Sequence, residues 1–231
     1  MTPPLVKICG MTRPEDVLGC TEAGADLLGF IFAAKSPRRL TPEQAAALPR
    51  TSARRVGVFM EQTLDEVLAI MEAADLDLAQ LHGGQSPEFC RLVGPDRVIR
   101  AFWPAKHPDT ASLAAAMAAF AGAVRYALLD AGTSGGGHGV SLDFAPLAGL
   151  DPPMPWLLAG GLGPHNVAEA VRLANPHGLD LNSGVESSPG LKDLEKVRRS
   201  LWALKGCAGG SEDASGGRGG SSPPDPLKGD D

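Results

Sequence analysis

The feature that most constrains this chain is a rhythm. A short apolar run, a turn and a longer stretch with helical spacing recur from Leu5 to Leu204. The apolar runs are LVKIC, LLGFIF, RRVGVFM, LAQLH, RVIRAFW, YALLDA, WLLAG and LDLNS, eight in all. Each is too short and too continuously apolar to wet one face, so the runs read as parallel strands covered by helices on the outside. The stretches between them carry helix starts: Thr12 with Glu15 three residues on and Pro14 in the first turn, and Thr41 followed by Pro42. One connection, FAPLAGL, makes only a short, poor helix.

Eight strand–helix units in about 205 residues average roughly 25 residues each, near the lower size of a (β/α)8 barrel. An open doubly wound sheet has fewer strands and a Gly-rich dinucleotide turn after the first, and the first turn here, CGMTRPED, has no G-x-G-x-x-G. The expected fold is therefore a single α/β domain, a (β/α)8 TIM barrel over residues 1–206. From Cys207 the chain reads CAGGSEDASGGRGGSSPPDPLKGDD, which has almost nothing apolar to bury. Residues 207–231 are expected to form a disordered tail.

Composition excludes several classes. A formal charge of −6, with no basic stripe, argues against nucleic acid as a partner. No run approaches the roughly 18 apolar residues needed to span a bilayer, and no leader pattern opens the chain, so no membrane partner is expected. The four cysteines, Cys9, Cys20, Cys90 and Cys207, have neither metal-site spacing nor the density of a disulfide scaffold. A reducing cytoplasm and no metal site are expected.

In such barrels the active site lies at the C-terminal strand ends. Those ends carry Cys9, Phe32 followed by AAKSPRR, Met60, Gln80 and His82, Arg100, Asp130, Gly160 with Gly161, and Asn182 with Ser183 and Gly184. The last two strand ends, within LAGGLGPHNV and LDLNSGVESSPG, suit an anion. Glycines let backbone N–H groups approach closely, and a phosphate between the loops after strands seven and eight is common in this architecture. Gly160, Gly161, Ser183 and Gly184 are the candidate phosphate-binding residues.

The ordered set KICGMT, GADLLGFIF, KSPR, VGVF, QLHG, LLD, GGL, PHNV and SGVE, spread from about residue 6 to 205, resembles the phosphoribosylanthranilate isomerase family of tryptophan biosynthesis. The resemblance implies an aldose–ketose isomerase performing an Amadori rearrangement without a cofactor, on a small phosphorylated substrate, by a monomer. It implies Cys9 as general base and Asp130 as general acid, with Arg38 after KSP holding the substrate carboxylate and Arg39 left to solvent. Gln80, His82, Arg100, Asp180, Gly137 and Gly139 are implied to line the substrate, and His138 departs from the family's small hydroxyl. To act as a base, Cys9 needs a thiol brought down from about 8.5. Lys7 is set aside for this task, on the expectation that its side chain points to the other face. Gly10 is expected to leave the sulfur open to substrate. Two other readings are kept: another sugar-phosphate barrel enzyme of tryptophan or histidine biosynthesis, and a catalytically silent phosphate-binding barrel. The indole-forming barrel would need catalytic lysines and glutamates at its strand ends, and the histidine-pathway isomerase an aspartate in place of Cys9.

Overall fold

A computed structural model of the chain describes residues 3–130 and 144–208. Its eight principal strands are β1 (Leu5–Cys9), β2 (Leu27–Ile31), β3 (Arg54–Phe59), β4 (Leu78–Leu81), β5 (Val98–Phe102), β6 (Tyr126–Asp130), β7 (Trp156–Ala159) and β8 (Gly178–Leu181). They pair in sequence order, all parallel, and β1 closes on β8 to complete the barrel. Around it run α1 (Pro14–Ala23), α2 (Pro42–Ala46), α3 (Leu64–Ala73), α4 (Pro87–Val93), α5 (Thr110–Ala118) and α6 (Val167–Ala174), with α7 (Leu194–Ala208) last. A two-residue-wide hairpin, β9 (Glu186–Ser188) with β10 (Leu191–Lys192), interrupts the last connection.

The sequence explains these elements locally. Thr41 and Thr63 each form a capping box, with Gln44 and Glu66, and Ser86 and Asp109 cap α4 and α5. Thr12 is not a cap. Its hydroxyl donates to the Gly190 carbonyl, and extended Arg13 precedes α1 instead. FAPLAGL yields a single 3-10 turn, Ala145–Leu147. After Gly163 and Gly190 the helices start only at Val167 and Leu194, because Gly163 closes onto Asn166 and Leu191–Lys192 pairs with β9.

Two apolar layers hold the barrel. Outward residues such as Ile8, Phe30, Phe59, Leu81, Leu129 and Leu179 pack under the helices. Inward residues form a second cluster that plugs the lumen: Leu27, Val56, Leu78, Ile99, Ala101, Leu128, Leu157 and Ala159. This plug is the floor on which the polar strand ends stand. Among the described residues no helix is long and apolar enough to cross a membrane.

Candidate active site

Strand residues two apart share a face. On β1 this puts Leu5, Lys7 and Cys9 all toward the lumen, Leu5 in the plug and Cys9 against Ile31 and Val58 above it. Lys7 is therefore on the same face as Cys9, not the opposite one. Register then aligns the acids: Asp130 pairs with Ala159, Ala159 with Asp180, and Asp180 with Lys7, a line across β6, β7, β8 and β1. Only the small Ala159 separates the two aspartate strands, which lie about 4.8 Å apart per step. Cys9 stands one pleat higher, opposite Gly29.

Lys7 is fully buried, and its Nζ donates to both carboxylate oxygens of Asp180 at 2.9 and 2.8 Å. Burial opposes the charge on Lys7, but Asp180 and Cys9 outweigh it, and the ammonium holds its proton above the ordinary lysine value. Burial pushes the Asp180 carboxyl up, and Lys7 only partly offsets this. At Cys9, burial again comes first and pushes the thiol up. Lys7 and Lys192 pull down, Asp180 pushes up, and the sulfur stays above its ordinary value. Burial thus prevails at Cys9, where a lowered thiol was expected.

Across the mouth, the His82 Nε2 lies 3.4 Å from the Asp130 Oδ2, and both side chains are partly exposed. Gln80, one pleat below, reaches the His82 Nδ1 through its Nε2 at 3.1 Å, while its own Oε1 is buried with no hydrogen-bond partner among the described residues. Trp103 stands edge-on to the His82 ring, centroids 5.2 Å apart, with the Lys106 ammonium 3.8 Å over its face. Trp103 is a rim residue and not part of the core.

Arg38 leans over Cys9's neighbour Gly10. A Cβ on Gly10 would lie 2.7 Å from the Arg38 Cδ and 2.8 Å from the Asn182 Oδ1, and the backbone there has φ +81°. Gly10 thus makes room for protein atoms, where open access to the sulfur was expected. The Arg38 guanidinium presents its Nε and Nη2 edge to both oxygens of Glu186, at 2.8 and 2.5 Å. Glu186 also accepts from the Lys192 Nζ at 2.8 Å, and Lys192 reaches the Asn182 Oδ1 at 3.0 Å. Burial pushes the Glu186 carboxyl up, yet Arg38 and Lys192 together hold it below its ordinary value. Arg39 is exposed, as expected.

The loops after β7 and β8 meet backbone to backbone. A Cβ on Gly184 would fall 2.2 Å from the Leu162 carbonyl oxygen, and one on Gly163 would fall 2.7 Å from the Gly184 oxygen. Only glycine permits this approach. Gly160 and Gly161 turn the chain with φ +112° and +64°, and the space beside Gly161 is open. Leu162 and Gly163 therefore meet Gly184 across the two loops, with Gly161 and Ser183 next to them in sequence.

These features can be set beside known proteins. The family model described as N-(5'phosphoribosyl)anthranilate (PRA) isomerase matches residues 6–201. The chain belongs to the phosphoribosylanthranilate isomerase family. A relative of that name from Maridesulfovibrio salexigens is 46% identical over 200 residues, covering 87% of this chain and 98% of its own. The isomerase structure from Thermus thermophilus superposes with a TM-score of 0.75 at 39% identity, over 87% of this chain and 98% of that one. A further crystal structure of the family, at 32% identity and TM-score 0.73, covers 88% of this chain and 99% of that one, and holds reduced 1-(o-carboxyphenylamino)-1-deoxyribulose 5-phosphate.

Against the family's expected site, the barrel brings Cys9, Asp130, Gln80, His82 and Asp180 to one lumen and Arg38 to its edge. Arg100 is not brought there. It alternates with lumen-facing Ile99 and Ala101, so it points outward under the helices. Its Nη1 donates to the Leu81 and Ala101 carbonyls beside Phe102 and Phe120. Gly137, Gly139 and His138 lie outside the described residues. Sequence reasoning passed over Lys7, Glu186 and Lys192. Two-residue spacing from Cys9 marks the first, and the Glu of SGVE marks the second.

Proposed function

We propose that the protein isomerises N-(5-phosphoribosyl)anthranilate to 1-(2-carboxyphenylamino)-1-deoxyribulose 5-phosphate, a step of tryptophan biosynthesis, with Asp130 as general acid and Cys9 as general base. Asp130 donates a proton to the ribose ring oxygen, the ring opens, and the nitrogen becomes a protonated Schiff base. Cys9 as thiolate then removes the proton from the adjacent carbon, giving an enolamine that tautomerises to the ketone. The iminium withdraws the electrons, so the reaction as written needs no cofactor. Its positive charge also arrives beside a sulfur that burial holds above its ordinary value, and so favours the thiolate at the moment it is needed.

The observation that carries this reading is the register line. It sets a carboxyl at the end of β6 and a thiol at the end of β1 into one lumen, three strands apart, over a floor of aliphatic side chains. The phosphate is read into the seam of Gly160, Gly161, Ser183 and Gly184. Arg38 offers the substrate carboxylate its end-on edge, since Glu186 occupies the side-on edge and Nη1 has no partner among the described residues. His82 and Gln80 orient the sugar, and Asp180 acts through Lys7. A monomer in the cytoplasm, without nucleic-acid partners, completes the proposal, and sedimentation of the purified chain tests the first part.

The deciding experiment follows the fluorescence of enzymatically generated phosphoribosylanthranilate. The wild type is expected to consume it, and Cys9→Ser and Asp130→Asn are expected to stay folded and lose most turnover. An inactive wild type would remove the isomerase reading, and full activity in Cys9→Ser would remove the assigned base.

A further inference from the structure

Taking Cys9 as the base proposed above, we infer that Lys7 is the counter-ion of the Cys9 thiolate, a positioning residue that Asp180 holds in place from the neighbouring strand. An ammonium with no exposure is costly to bury and is expected to use all its donors on acceptors. Asp180 takes two of the three, at 2.9 and 2.8 Å. The third is left for a further acceptor, and the Cys9 sulfur stands two residues on along the same lumen-facing side of β1.

Gly29 on β2 makes this meeting possible. A Cβ there would lie 2.6 Å from the Cys9 Sγ and 3.1 Å from the Lys7 Nζ, so both atoms rest on the same vacant spot. The other charged groups acting on the sulfur are Asp180 on β8, Lys192 on β10 and Arg38 after β2. Lys192 and Arg38 both commit themselves to Glu186. Of these cations Lys7 is the one that shares a face of β1 with Cys9 and stands with its sulfur against the same Gly29. An ordinary structural ion pair between Lys7 and Asp180 would have no bearing on the thiol. The counter-ion arrangement does, because removing the cation and removing the competing anion should move the sulfur in opposite directions.

The test measures alkylation of Cys9 by iodoacetamide against pH, read peptide by peptide by mass spectrometry so that Cys20, Cys90 and Cys207 do not interfere. In Lys7→Met the midpoint should rise by more than about one pH unit, a tenfold loss of thiolate at a given pH. In Asp180→Asn it should fall. The rising limb of kcat/KM against pH should move with each midpoint. Coincident midpoints in folded variants, or shifts of the same sign, would overturn the assignment. If Lys7→Met does not fold, the double variant Lys7→Met/Asp180→Asn leaves no unpaired buried charge, and its midpoint should lie above that of Asp180→Asn. A midpoint equal to that of Asp180→Asn would also overturn it. The alkylation needs no substrate, so it separates the two claims. Opposed midpoints in a chain that does not turn over phosphoribosylanthranilate would support the pair and refute the activity, whereas a fully active chain with coincident midpoints would do the reverse.

Discussion

The two sides of the barrel mouth are built differently. On the β8–β1 side, Lys7, Cys9 and Asp180 are almost fully buried, and Lys7 is joined to Asp180 by a close charge-assisted contact. On the β4–β6 side, His82 and Asp130 are partly exposed and stand 3.4 Å apart, with Trp103 beside them. The difference matches two kinds of proton handling. A base that must be charged while buried needs fixed countercharge and no reorganisation, because low-dielectric surroundings penalise any unpaired charge. An acid that must regain a proton each cycle is served by contact with water. One side is set by electrostatics and the other by access.

The largest test of that contrast is chemical. Cys9→Ser and Asp130→Asn should each reduce kcat by about 10²- to 10⁴-fold, the usual worth of a positioned acid or base. Their stabilities should differ little from wild type, most clearly for half-exposed Asp130, where substitutions stay within about 0.5 kcal/mol. Equal losses in rate with unequal urea midpoints would break the separation between chemistry and scaffold.

Stability should separate the sides next. Lys7→Met strands the Asp180 carboxylate in the lumen and should cost about 3–5 kcal/mol in urea unfolding. His82→Asn, at a partly exposed site, should cost less than about 1 kcal/mol. Comparable costs would mean that the β4–β6 side is as tightly built as its counterpart.

A smaller test adds one methyl group. Gly29→Ala places a carbon 2.6 Å from the Cys9 Sγ and 3.0 Å from its Cα, so the backbone of β1 must yield. About 1–3 kcal/mol of overpacking is expected, with kcat falling further than KM changes. Gly84→Ala, beside the β4 end with nothing within 4 Å, should leave both rate and stability in place.

What the sequence made legible follows the same division. Fully buried parallel strands must be continuously apolar, so LLGFIF or YALLDA declares itself without any partner. Cysteine, aspartate and histidine at the ends of such runs then stand out. Parity within a strand is harder to read, because a run that is buried on both faces gives no alternation to follow. Arg100 could face either way until Ile99 and Ala101 were seen in the lumen plug. Lys7 was misplaced although its spacing from Cys9 already set its face. The β9–β10 hairpin left no clear trace, since three and two residues of mixed polarity carry too little pattern, so SGVE marked Glu186 without showing the element that holds it.

The smallest effect concerns that hairpin, and its sign distinguishes Glu186 from Asp180. Glu186 is held below its ordinary value in the folded protein by Arg38 and Lys192, against burial. Its contribution is therefore present above the unfolded value of about 4.3 and is lost as pH falls through the lower, folded value. Asp180 is pushed up by burial, so its share runs the other way: it is full below the unfolded value of about 3.9 and declines as pH rises through the folded value. Urea midpoints of wild type and Glu186→Gln, compared between pH 5 and pH 3, should converge as the acid removes the charge that the variant lacks. In Asp180→Asn, which keeps Glu186, the comparison should move the other way, with the wild type gaining on the variant as pH falls, because Asp180 adds stability toward low pH. Convergence in both variants would mean that Lys7 overcomes burial at Asp180 as Arg38 and Lys192 do at Glu186, and the two carboxylates would then be governed by one rule.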